Sequence, residues 1–214
     1  MIRIEQREDE RYWVDDLDVS DFQVLREIYE DYTYRASPVP GYRILDIGAH
    51  KGVFTIWAAK RGAIVTSYEP NPFSFEIMQK NAELNGVKLD AHSVGIWSRR
   101  DTLPFYPYPF SAASYTFIHT PKQRDLLVMA DVIPLDEAIG DKEWDFLKID
   151  VEGAEGEIIL ASDRLLQVKQ ISIEVHTGFD WRCAPAMYDK LNDLFEHLPS
   201  SKTEVDSWVR KEGK

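Results

Sequence analysis

A short apolar run that ends in two glycines constrains this chain more than any other feature. Ile44-Leu45-Asp46-Ile47 leads into Gly48 and Gly52, a helical pattern follows, and a second apolar run over Ile64–Tyr68 ends at the acidic Glu69. An apolar strand, a glycine turn, a helix and a second strand that ends in an acid make up a nucleotide-binding βαβ unit. Glu69 lies 21 residues after Gly48, close to the spacing of about 20 at which an acid meets ribose hydroxyls.

The spacing of the glycines indicates which nucleotide the unit would bind. The dinucleotide fingerprint G-x-G-x-x-G needs glycines where this chain has His50 and Val53, and its second glycine lets the backbone approach a pyrophosphate. NAD and FAD are therefore disfavoured. The spacing of Asp46, Gly48 and Gly52 suits a ligand with no phosphate to cradle, so it favours S-adenosylmethionine (SAM) as the cofactor.

Each residue of the unit then has a predicted role toward SAM. Gly48 lets the turn pass close to the ligand, and free N–H groups at the start of the next helix would bind the methionyl carboxylate. Asp46 would meet the ammonium group, and Glu69 would accept hydrogen bonds from both ribose hydroxyls. A plain strand, turn and helix with a surface acid is the alternative interpretation of the same residues.

Length and composition favour one domain with a small extension. The chain has 214 residues, of which 44% are hydrophobic, enough to bury a full core. We expect residues 1–40 to form a hairpin and a cap helix, and residues 41–214 to form the main domain with an insertion at about 101–131. No leader sequence and no apolar run of about 18 residues is visible, and the single Cys183 excludes an internal disulfide, so a cytoplasmic protein is expected.

The net charge limits the class of partner. The formal charge is −12 and the isoelectric point is near 4.9. Both weigh against a nucleic-acid partner, because such binding draws much of its free energy from Lys and Arg side chains that replace phosphate counterions. A small-molecule acceptor is therefore expected, and neither nucleic acid nor a membrane.

Alternating helical and strand patterns predict an open sheet. Asn71-Pro72 opens a helix that ends at Asn85-Gly86, and a third strand is expected over Leu89 to Trp97. Two later apolar runs, over Phe146 to Asp150 and Ile171 to His176, predict further strands. The chain is thus predicted to be an α/β protein of three layers with a doubly wound, mostly parallel sheet.

The insertion differs in character from the rest of the chain. Pro104, Pro107 and Pro109 are interleaved with aromatic residues from Phe105 to Phe117. Proline at this density predicts edge strands and turns rather than a crossover helix. The aromatic side chains either form a substrate-facing wall or pack on the edge of the sheet, and both interpretations stay open.

Acidic residues follow the later strands at the edge where a ligand would bind. Asp150 ends its strand and should point into the same crevice as Gly48 and Glu69, because ligands meet an open parallel sheet at the carboxyl ends of its strands. Glu174 and His176 share one face of the last strand by its two-residue period. The residues expected near one opening are therefore Asp150, Glu152, Glu174 and His176.

Four segments together resemble the FkbM-type SAM-dependent methyltransferases over about residues 41–180. They are Asp-Ile-Gly-Ala-His-Lys-Gly, Tyr-Glu-Pro-Asn-Pro, Leu-Lys-Ile-Asp-Val-Glu-Gly-Ala-Glu and Ile-Glu-Val-His. The resemblance implies a Rossmann-like class I methyltransferase fold, usually of seven strands. It also implies O-methylation of a hydroxyl on a small molecule or a sugar.

The resemblance assigns residues by position. The turn around Ser93 to Ile96 would touch the adenine, and Asp150, Glu152 and His176 would border the acceptor. The residues implied in SAM binding are Asp46, Gly48, Ala49, His50, Gly52, Glu69, Pro70, Asn71, Ser93, Gly95 and Asp150.

The C-terminal part departs from the family pattern. After Val175-His176 the chain has room for a helix near Pro185 to Leu198, but hardly for the full closing hairpin of the fold. A shortened sheet edge is therefore expected. The N-terminal hairpin or a second subunit could cover this edge, which makes a homodimer plausible.

Methyl transfer to a hydroxyl needs an aligned acceptor and a group that takes its proton. We expect His176 to be this base, because an unperturbed pKa of about 6.5 suits proton abstraction near neutrality, and Glu174 could orient the ring. A purely structural pair of these two residues is the alternative. Asp150, Glu174 and His176 could instead hold Mg²⁺, which is less favoured, so no metal site is assigned. Glu155 is expected only to favour the first turn of a helix.

Two rival functions stay open. Segments such as Ala58–Ala63 and Glu83–Val87 also resemble some tRNA-modifying enzymes of this fold, which makes a tRNA or other RNA methyltransferase the main alternative. The strand that ends at Asp150 lacks the Asn-Pro-Pro or Asn-Leu-Pro turn typical of base amino methylation, and the chain is acidic. A SAM-binding protein without catalysis is the other alternative.

Overall fold

A computed structural model describes residues 2–16, 18–105, 127–176, 183–198 and 205–213. The strands in chain order are β1 (Ile2–Arg7), β2 (Glu10–Asp15), β3 (Arg43–Ile47), β4 (Ile64–Tyr68), β5 (Asp90–His92), β6 (Gly95–Trp97), β7 (Asp101–Phe105), β8 (Val128–Pro134), β9 (Trp144–Ile149), β10 (Val168–Glu174), β11 (Phe195–Leu198) and β12 (Val205–Arg210). The helices are α1 (Val19–Tyr29), α2 (Val53–Lys60), α3 (Pro72–Asn85), α4 (Leu135–Ile139), α5 (Glu155–Ala161) and α6 (Ala184–Leu194), and a 3₁₀ turn over Leu165–Gln167 precedes β10.

The central sheet has seven strands in the order β11-β12-β10-β9-β3-β4-β5. Strands β10, β9, β3, β4 and β5 are mutually parallel, and β12 runs antiparallel to both of its neighbours. Since β3 and β9 lie side by side at the centre, their carboxyl ends meet at one edge, where ligands bind in open parallel sheets. The prediction of a doubly wound, mostly parallel α/β sheet is confirmed.

Two apolar layers cover the two faces of this sheet. Successive residues of a strand point to opposite faces, so Ile44 and Phe146 belong to one buried cluster with α1 and α2. Leu45 and Leu147 belong to the other, with α4, α5 and α6. The molecule therefore has the three layers expected from its sequence. Among the described residues, no helix has the length and apolar character needed to cross a bilayer.

The expectation of a shortened C-terminal edge is wrong. α6 is followed at once by β11, and β12 returns antiparallel to insert between β11 and β10. Trp208 is fully buried in this hairpin and Phe195 is 1% exposed, so two large side chains secure the edge. β11 is hard to predict from the sequence because it has only four residues and no loop separates it from α6. A partner subunit is not needed to complete the sheet.

The predicted third strand over Leu89 to Trp97 is two strands in two sheets. β5 extends the central sheet beside β4, whereas β6 pairs with β8 in a small sheet of order β6-β8-β7. Ser93, exposed in a bend, separates them. β7 pairs antiparallel with β8 and is an edge strand of the small sheet, as the proline-rich composition predicts. Residues 106–126 of the insertion lie outside the described part of the chain.

The N-terminal hairpin of β1 and β2 packs on helices rather than on the sheet edge near β11. The main-chain N–H of Trp13 donates to the side chain of Asn81 on α3. α1 follows, and the side chain of its N-cap Asp18 accepts the Ser20 N–H. The buried ammonium of Lys51 contacts Asp18 at 3.0 Å and also contacts Asp21. α1 is thereby held against the loop that follows β3.

Candidate active site

A cleft opens at the carboxyl ends of β3, β4 and β9, under α1. Its volume is about 880 Å³ when the space open to solvent is included. Gly48, Ala49 and His50 line it from the turn after β3, and Glu69 and Pro70 line it from the end of β4. The glycine turn and the acid predicted to act together thus border one cavity.

Glu69 is held by backbone amides. Its Oε2 accepts the His50 N–H at 2.7 Å, and its Oε1 accepts the Asn71 N–H at 2.7 Å. Each carboxylate oxygen keeps a free lone pair for a further donor. Burial raises the pKa of Glu69 to about 7, although both N–H groups oppose this rise.

The turn after β3 depends on two glycines in different ways. Gly48 has φ +79°, and a Cβ atom there would lie 1.8 Å from the main-chain oxygen of Asp150. Gly48 therefore allows β3 and β9 to approach at the cavity floor. Gly52 has φ +81°, and a Cβ there would meet the side chain of Met78 on α3. Gly52 does not line the cavity, so its contact is with a helix.

Asp46 and Lys148 form a buried pair beneath the cavity. Asp46 is fully buried, and its Oδ2 accepts a hydrogen bond from Thr55 at 2.6 Å. Lys148 Nζ lies 3.4 Å from Asp46, 3.4 Å from Asp150 and 3.0 Å from the main-chain oxygen of Gly48. Burial lowers the pKa of Lys148, but Asp150 and Asp46 outweigh it and raise the pKa to about 12. Asp46 therefore faces a lysine rather than the cavity.

Four acids form a carboxylate cluster between the end of β9, the start of α5 and the end of β10: Asp150, Glu152, Glu155 and Glu174. Asp150 and Glu152 line the cavity, whereas Glu174 does not. The Tyr34 hydroxyl, buried after α1, lies 3.0 Å from Asp150 Oδ2 and 2.9 Å from Glu174 Oε2.

The two acids beside Tyr34 have pKa values shifted in opposite directions. Burial and the charge of Asp150 raise the pKa of Glu174 to about 8. Burial opposes ionisation of Asp150 as well, but the charges of Lys148 and His176 hold its pKa below the usual range. Ionisation is therefore easier at Asp150 than at Glu174.

His176 joins the carboxylate cluster from the other side. Its Nδ1 lies 2.8 Å from Glu155 Oε1, and its Nε2 lies 3.5 Å from Glu152 and 3.8 Å from Glu174. Burial lowers the pKa of His176, but the hydrogen bond to Glu155 and the charges of Glu155 and Glu152 raise it to about 10. An imidazolium cannot take a proton at neutral pH. The partner of His176 is Glu155, not Glu174 as the sequence suggested, and Glu155 also accepts the Gly153 N–H at 3.0 Å.

A sequence model of the family described as the methyltransferase FkbM domain matches residues 46–213. The chain belongs to this family. The resemblance in the four sequence segments is thereby confirmed. This FkbM chain has the class I fold of SAM-dependent methyltransferases.

Two curated relatives are named as methyltransferases. "Methyltransferase 1" of Beauveria bassiana is 29% identical over 166 residues, which cover 65% of this chain and 66% of the relative. "Methyltransferase sdnD" of Sordaria araneosa is 25% identical over 178 residues, which cover 65% of this chain and 68% of the relative. This FkbM chain thus spans about two thirds of the length of these fungal proteins.

A solved structure supports the fold. The tRNA (uracil-54, C5)-methyltransferase of Pyrococcus abyssi, solved in complex with S-adenosyl-L-homocysteine, matches with a TM-score of 0.51 and 16% identity. The match covers 98% of this chain and 44% of the other. At this identity, the likeness extends to the fold alone.

The cavity of this FkbM protein unites some of the predicted residues and leaves others out. Gly95 and Pro70 line it, together with the other lining residues named above. Asn71 is fully buried and caps α3 through Phe73, and Ser93 is exposed beside the cavity. Asp46, Gly52, Glu174 and His176 are not among the residues that line the cavity.

Several lining residues were not predicted. Tyr34 and Lys148 reach the cavity, as do Val24, Glu27 and Ile28 of α1. The two-residue period of the strand places Lys148 on the same face as Asp150, so the sequence held a signal that Lys148 lies near the cavity. No sequence signal marks Tyr34, because it follows α1 by a turn and reaches Asp150 from 116 residues away.

Three residues of the carboxylate cluster are close enough to share a cation. One ligand atom each of Asp150, Glu174 and His176 lies within 4.8 Å of the others, a spacing that a metal ion could bridge. Lys148 already pairs with Asp150, and a metal ion on the His176 ring would have to displace a proton from it, so no metal site is assigned.

Proposed function

We propose that this FkbM protein transfers a methyl group from SAM to a hydroxyl group of a small molecule or a sugar. One observation carries the proposal. The same cavity presents Glu69 at the end of β4 and Asp150 at the end of β9, which are the two places where the fold meets a nucleotide and its reaction partner.

The turn side of the cavity, formed by the turn Gly48–His50 after β3 and by Glu69 and Pro70 at the end of β4, fits SAM. The two oxygens of Glu69 keep lone pairs for the two ribose hydroxyls, since each amide uses one. Tyr68 and Ile96 provide an apolar wall next to Glu69 and Gly95 for an adenine ring. When bound, SAM would supply a methyl group on a sulfonium whose sulfur leaves as a neutral thioether.

Asp150 is the proton acceptor that we propose, in place of His176. Asp150 lines the cavity and is ionised, whereas His176 does not line it and is an imidazolium. As the acceptor oxygen bonds to the methyl carbon, its O–H bond becomes strongly acidic, and the proton passes to the Asp150 carboxylate. A weak base suffices for a proton released in this way, and geometry decides which base is used.

The lining favours an uncharged or cationic acceptor over RNA. Glu27, Asp150 and Glu152 face the cavity, and Lys148 is the only lysine or arginine among its described lining residues. Phosphates would be repelled by these carboxylates, and the formal charge of −12 adds to this repulsion. The single Cys183 supports a reducing, cytoplasmic setting.

Calorimetric titration with S-adenosylhomocysteine tests the cofactor. We expect micromolar binding to the wild type and at least about tenfold weaker binding to Glu69→Ala, because hydrogen bonds to a charged group are lost. Glu76→Ala, an exposed glutamate on α3, is the matched control and should bind as the wild type does. No binding to the wild type would overturn the proposal.

Transfer of a labelled methyl group from SAM tests the acceptor class. Hydroxylated small molecules, free sugars and bulk tRNA are offered in separate reactions. Label in a hydroxylated small molecule or sugar supports the proposal. Label in tRNA alone would replace it with an RNA methyltransferase, and binding of SAM without transfer to any class would favour a protein that only senses SAM.

A further inference from the structure

The Tyr34 hydroxyl presents a problem of hydrogen counting. A phenol has one O–H group, and it can therefore donate one hydrogen bond at a time. Its oxygen lies 3.0 Å from Asp150 Oδ2 and 2.9 Å from Glu174 Oε2, both hydrogen-bonding distances. If both acids were ionised, one carboxylate oxygen would face a phenol lone pair in a buried site, which is unfavourable. A proton on one of the two acids, donated to the Tyr34 oxygen, removes this conflict and gives each contact a full hydrogen bond.

The surroundings decide which acid carries this proton. Lys148 Nζ lies 3.4 Å from Asp150 and stabilises its charge, whereas the nearest cation to Glu174 among the described residues is the His176 ring at 3.8 Å. Glu27 on α1 adds a negative charge near both acids, so it does not distinguish them. The His176 ring is itself held mainly by Glu155. Ionisation is therefore easier at Asp150 than at Glu174.

The position of Tyr34 is fixed independently of its hydroxyl. Its main-chain oxygen accepts a hydrogen bond from Ser172 on β10 at 2.7 Å, and its ring packs edge-on against Phe54 at 5.7 Å. The Lys148 ammonium lies 5.0 Å from the ring centroid. The hydroxyl therefore stays between the two acids, and the contact with both is a property of the fold.

We infer that Glu174 holds a proton and donates it to the Tyr34 oxygen, so that the single O–H of Tyr34 points to Asp150 and holds its carboxylate in place. The hydrogen bonds run in one direction, from Glu174 to Tyr34 to Asp150. Tyr34 and Glu174 are then positioning residues for Asp150. The consequence for methyl transfer rests on the proposed function, whereas the direction of the hydrogen bonds does not.

Carbon-detected NMR of the side-chain carboxyl groups tests the inference without any acceptor. A glutamate carboxyl should titrate far above the usual glutamate range, near pH 8, and its signal should be absent from Glu174→Gln. Glu76→Gln, at an exposed glutamate, should leave that signal unchanged. If the carboxyl signal that Glu174→Gln removes titrates below pH 6, Glu174 is ionised at neutral pH and the inference is overturned.

Tyr34→Phe tests the direction of the hydrogen bonds. Loss of the hydroxyl removes a hydrogen-bond donor from Asp150, so the titration midpoint of the Asp150 carboxyl should rise. It also removes an acceptor from protonated Glu174, so the titration midpoint of the Glu174 carboxyl should fall. We expect each shift to be about 0.5 to 1 pH unit. If Tyr34 instead donates to Glu174, the Glu174 midpoint rises and Asp150 does not move. That result, or no shift at either acid, would overturn the inference.

Glu174→Gln separates this role from a general structural one. The amide can donate to Tyr34 as the protonated acid does, so the variant should fold and keep methyl transfer within about threefold of the wild type at pH 7. The rate of methyl transfer by the wild type should decrease above about pH 8 as Glu174 ionises, whereas the rate of the variant should not decrease there. Loss of transfer in Glu174→Gln at pH 7 would overturn the role. Absence of S-adenosylhomocysteine binding would overturn only the proposed function, because the NMR titrations do not depend on it.

Discussion

Glu69 and Glu174 are both buried acids near one cavity, and burial raises the pKa of both, to about 7 and about 8. They are held in different ways. Glu69 is held by main-chain N–H groups 19 and 2 residues away, whereas Glu174 is held by a tyrosine hydroxyl 140 residues away. Backbone donors can only donate, but a hydroxyl can donate or accept. The turn side of the cavity therefore has a fixed hydrogen-bond pattern, and the carboxylate cluster has one that depends on protonation.

From this comparison we expect a substitution of Asp150 to have the largest effect on the rate of methyl transfer. We expect Asp150→Asn to reduce methyl transfer by about 10² to 10⁴, because a positioned proton acceptor is lost, while S-adenosylhomocysteine affinity changes by about threefold or less. Asp189→Asn, at an exposed aspartate on α6, is the control. Rates with the acceptor found in the labelling experiment provide the measurement. If the affinity for S-adenosylhomocysteine and the rate of methyl transfer decrease by the same factor, Asp150 acts in cofactor binding, as Glu69 does, and not as the proton acceptor.

The next effect concerns Lys51, which joins α1 to the turn. Its buried ammonium contacts Asp18 and Asp21, so Lys51→Met would leave two buried carboxylates without their cation. We expect a loss of about 3 to 5 kcal/mol, or roughly 6 to 20 °C in Tm by calorimetry. Lys80→Met, which removes an exposed pair with Glu76, should change Tm by about 2 °C or less. A small effect at Lys51 would contradict the view that α1 is anchored through this residue.

Gly48→Ala tests how tightly the turn side is built. The new Cβ would overlap the Asp150 main-chain oxygen at φ +79°, so overpacking of about 1 to 3 kcal/mol adds to a left-handed backbone cost of about 1 to 2 kcal/mol. Gly86→Ala has φ +63° with nothing within 4 Å of the new Cβ, so it measures the backbone cost alone. Urea unfolding of both variants gives the difference. Equal losses would mean that the approach of β3 to β9 adjusts freely.

The smallest effect is a pH dependence that comes from His176. Its pKa is raised from 6.5 to about 10 in the folded chain, so its contribution to stability is complete below pH 6.5 and is lost as pH rises through 10. We expect the wild-type Tm to fall by at least about 2 °C between pH 8 and pH 10, and His176→Gln to show a smaller fall. His92→Gln, at an exposed histidine, should follow the wild type. Parallel curves for all three proteins would contradict the assigned ion pairs.

The sequence predicted the turn side well because its contacts are local. Gly48 and Glu69 lie in one βαβ unit, and the spacing between them is set by the length of a strand and a helix. Asn71 was recognised as a helix cap, but not as a donor to Glu69, since its main-chain N–H leaves no mark in a residue pattern. Asp46 was placed toward the ligand because its position opposite Lys148 depends on the register between β3 and β9, which strand period does not give.

The carboxylate cluster was predicted only as a set of acids at strand ends. The partner of His176 was taken to be Glu174, two residues away, whereas the ring turns to Glu155 on α5. The closing hairpin was missed for a related reason, because β11 follows α6 without a break and its pairing with β12 is a tertiary contact. Sequence period cannot decide between partners that the chain brings together from distant segments.

By itself the sequence determined the class of fold, the glycine turn and the acid at the end of β4, because these follow from periodicity and from backbone conformations that few residues adopt. Only the tertiary structure decided which acids are ionised. Tyr34, Lys148 and His176 set the charges of Asp150 and Glu174, and they do so through burial and distances of a few ångströms. Neither quantity exists until the segments around β9 and β10 have packed together.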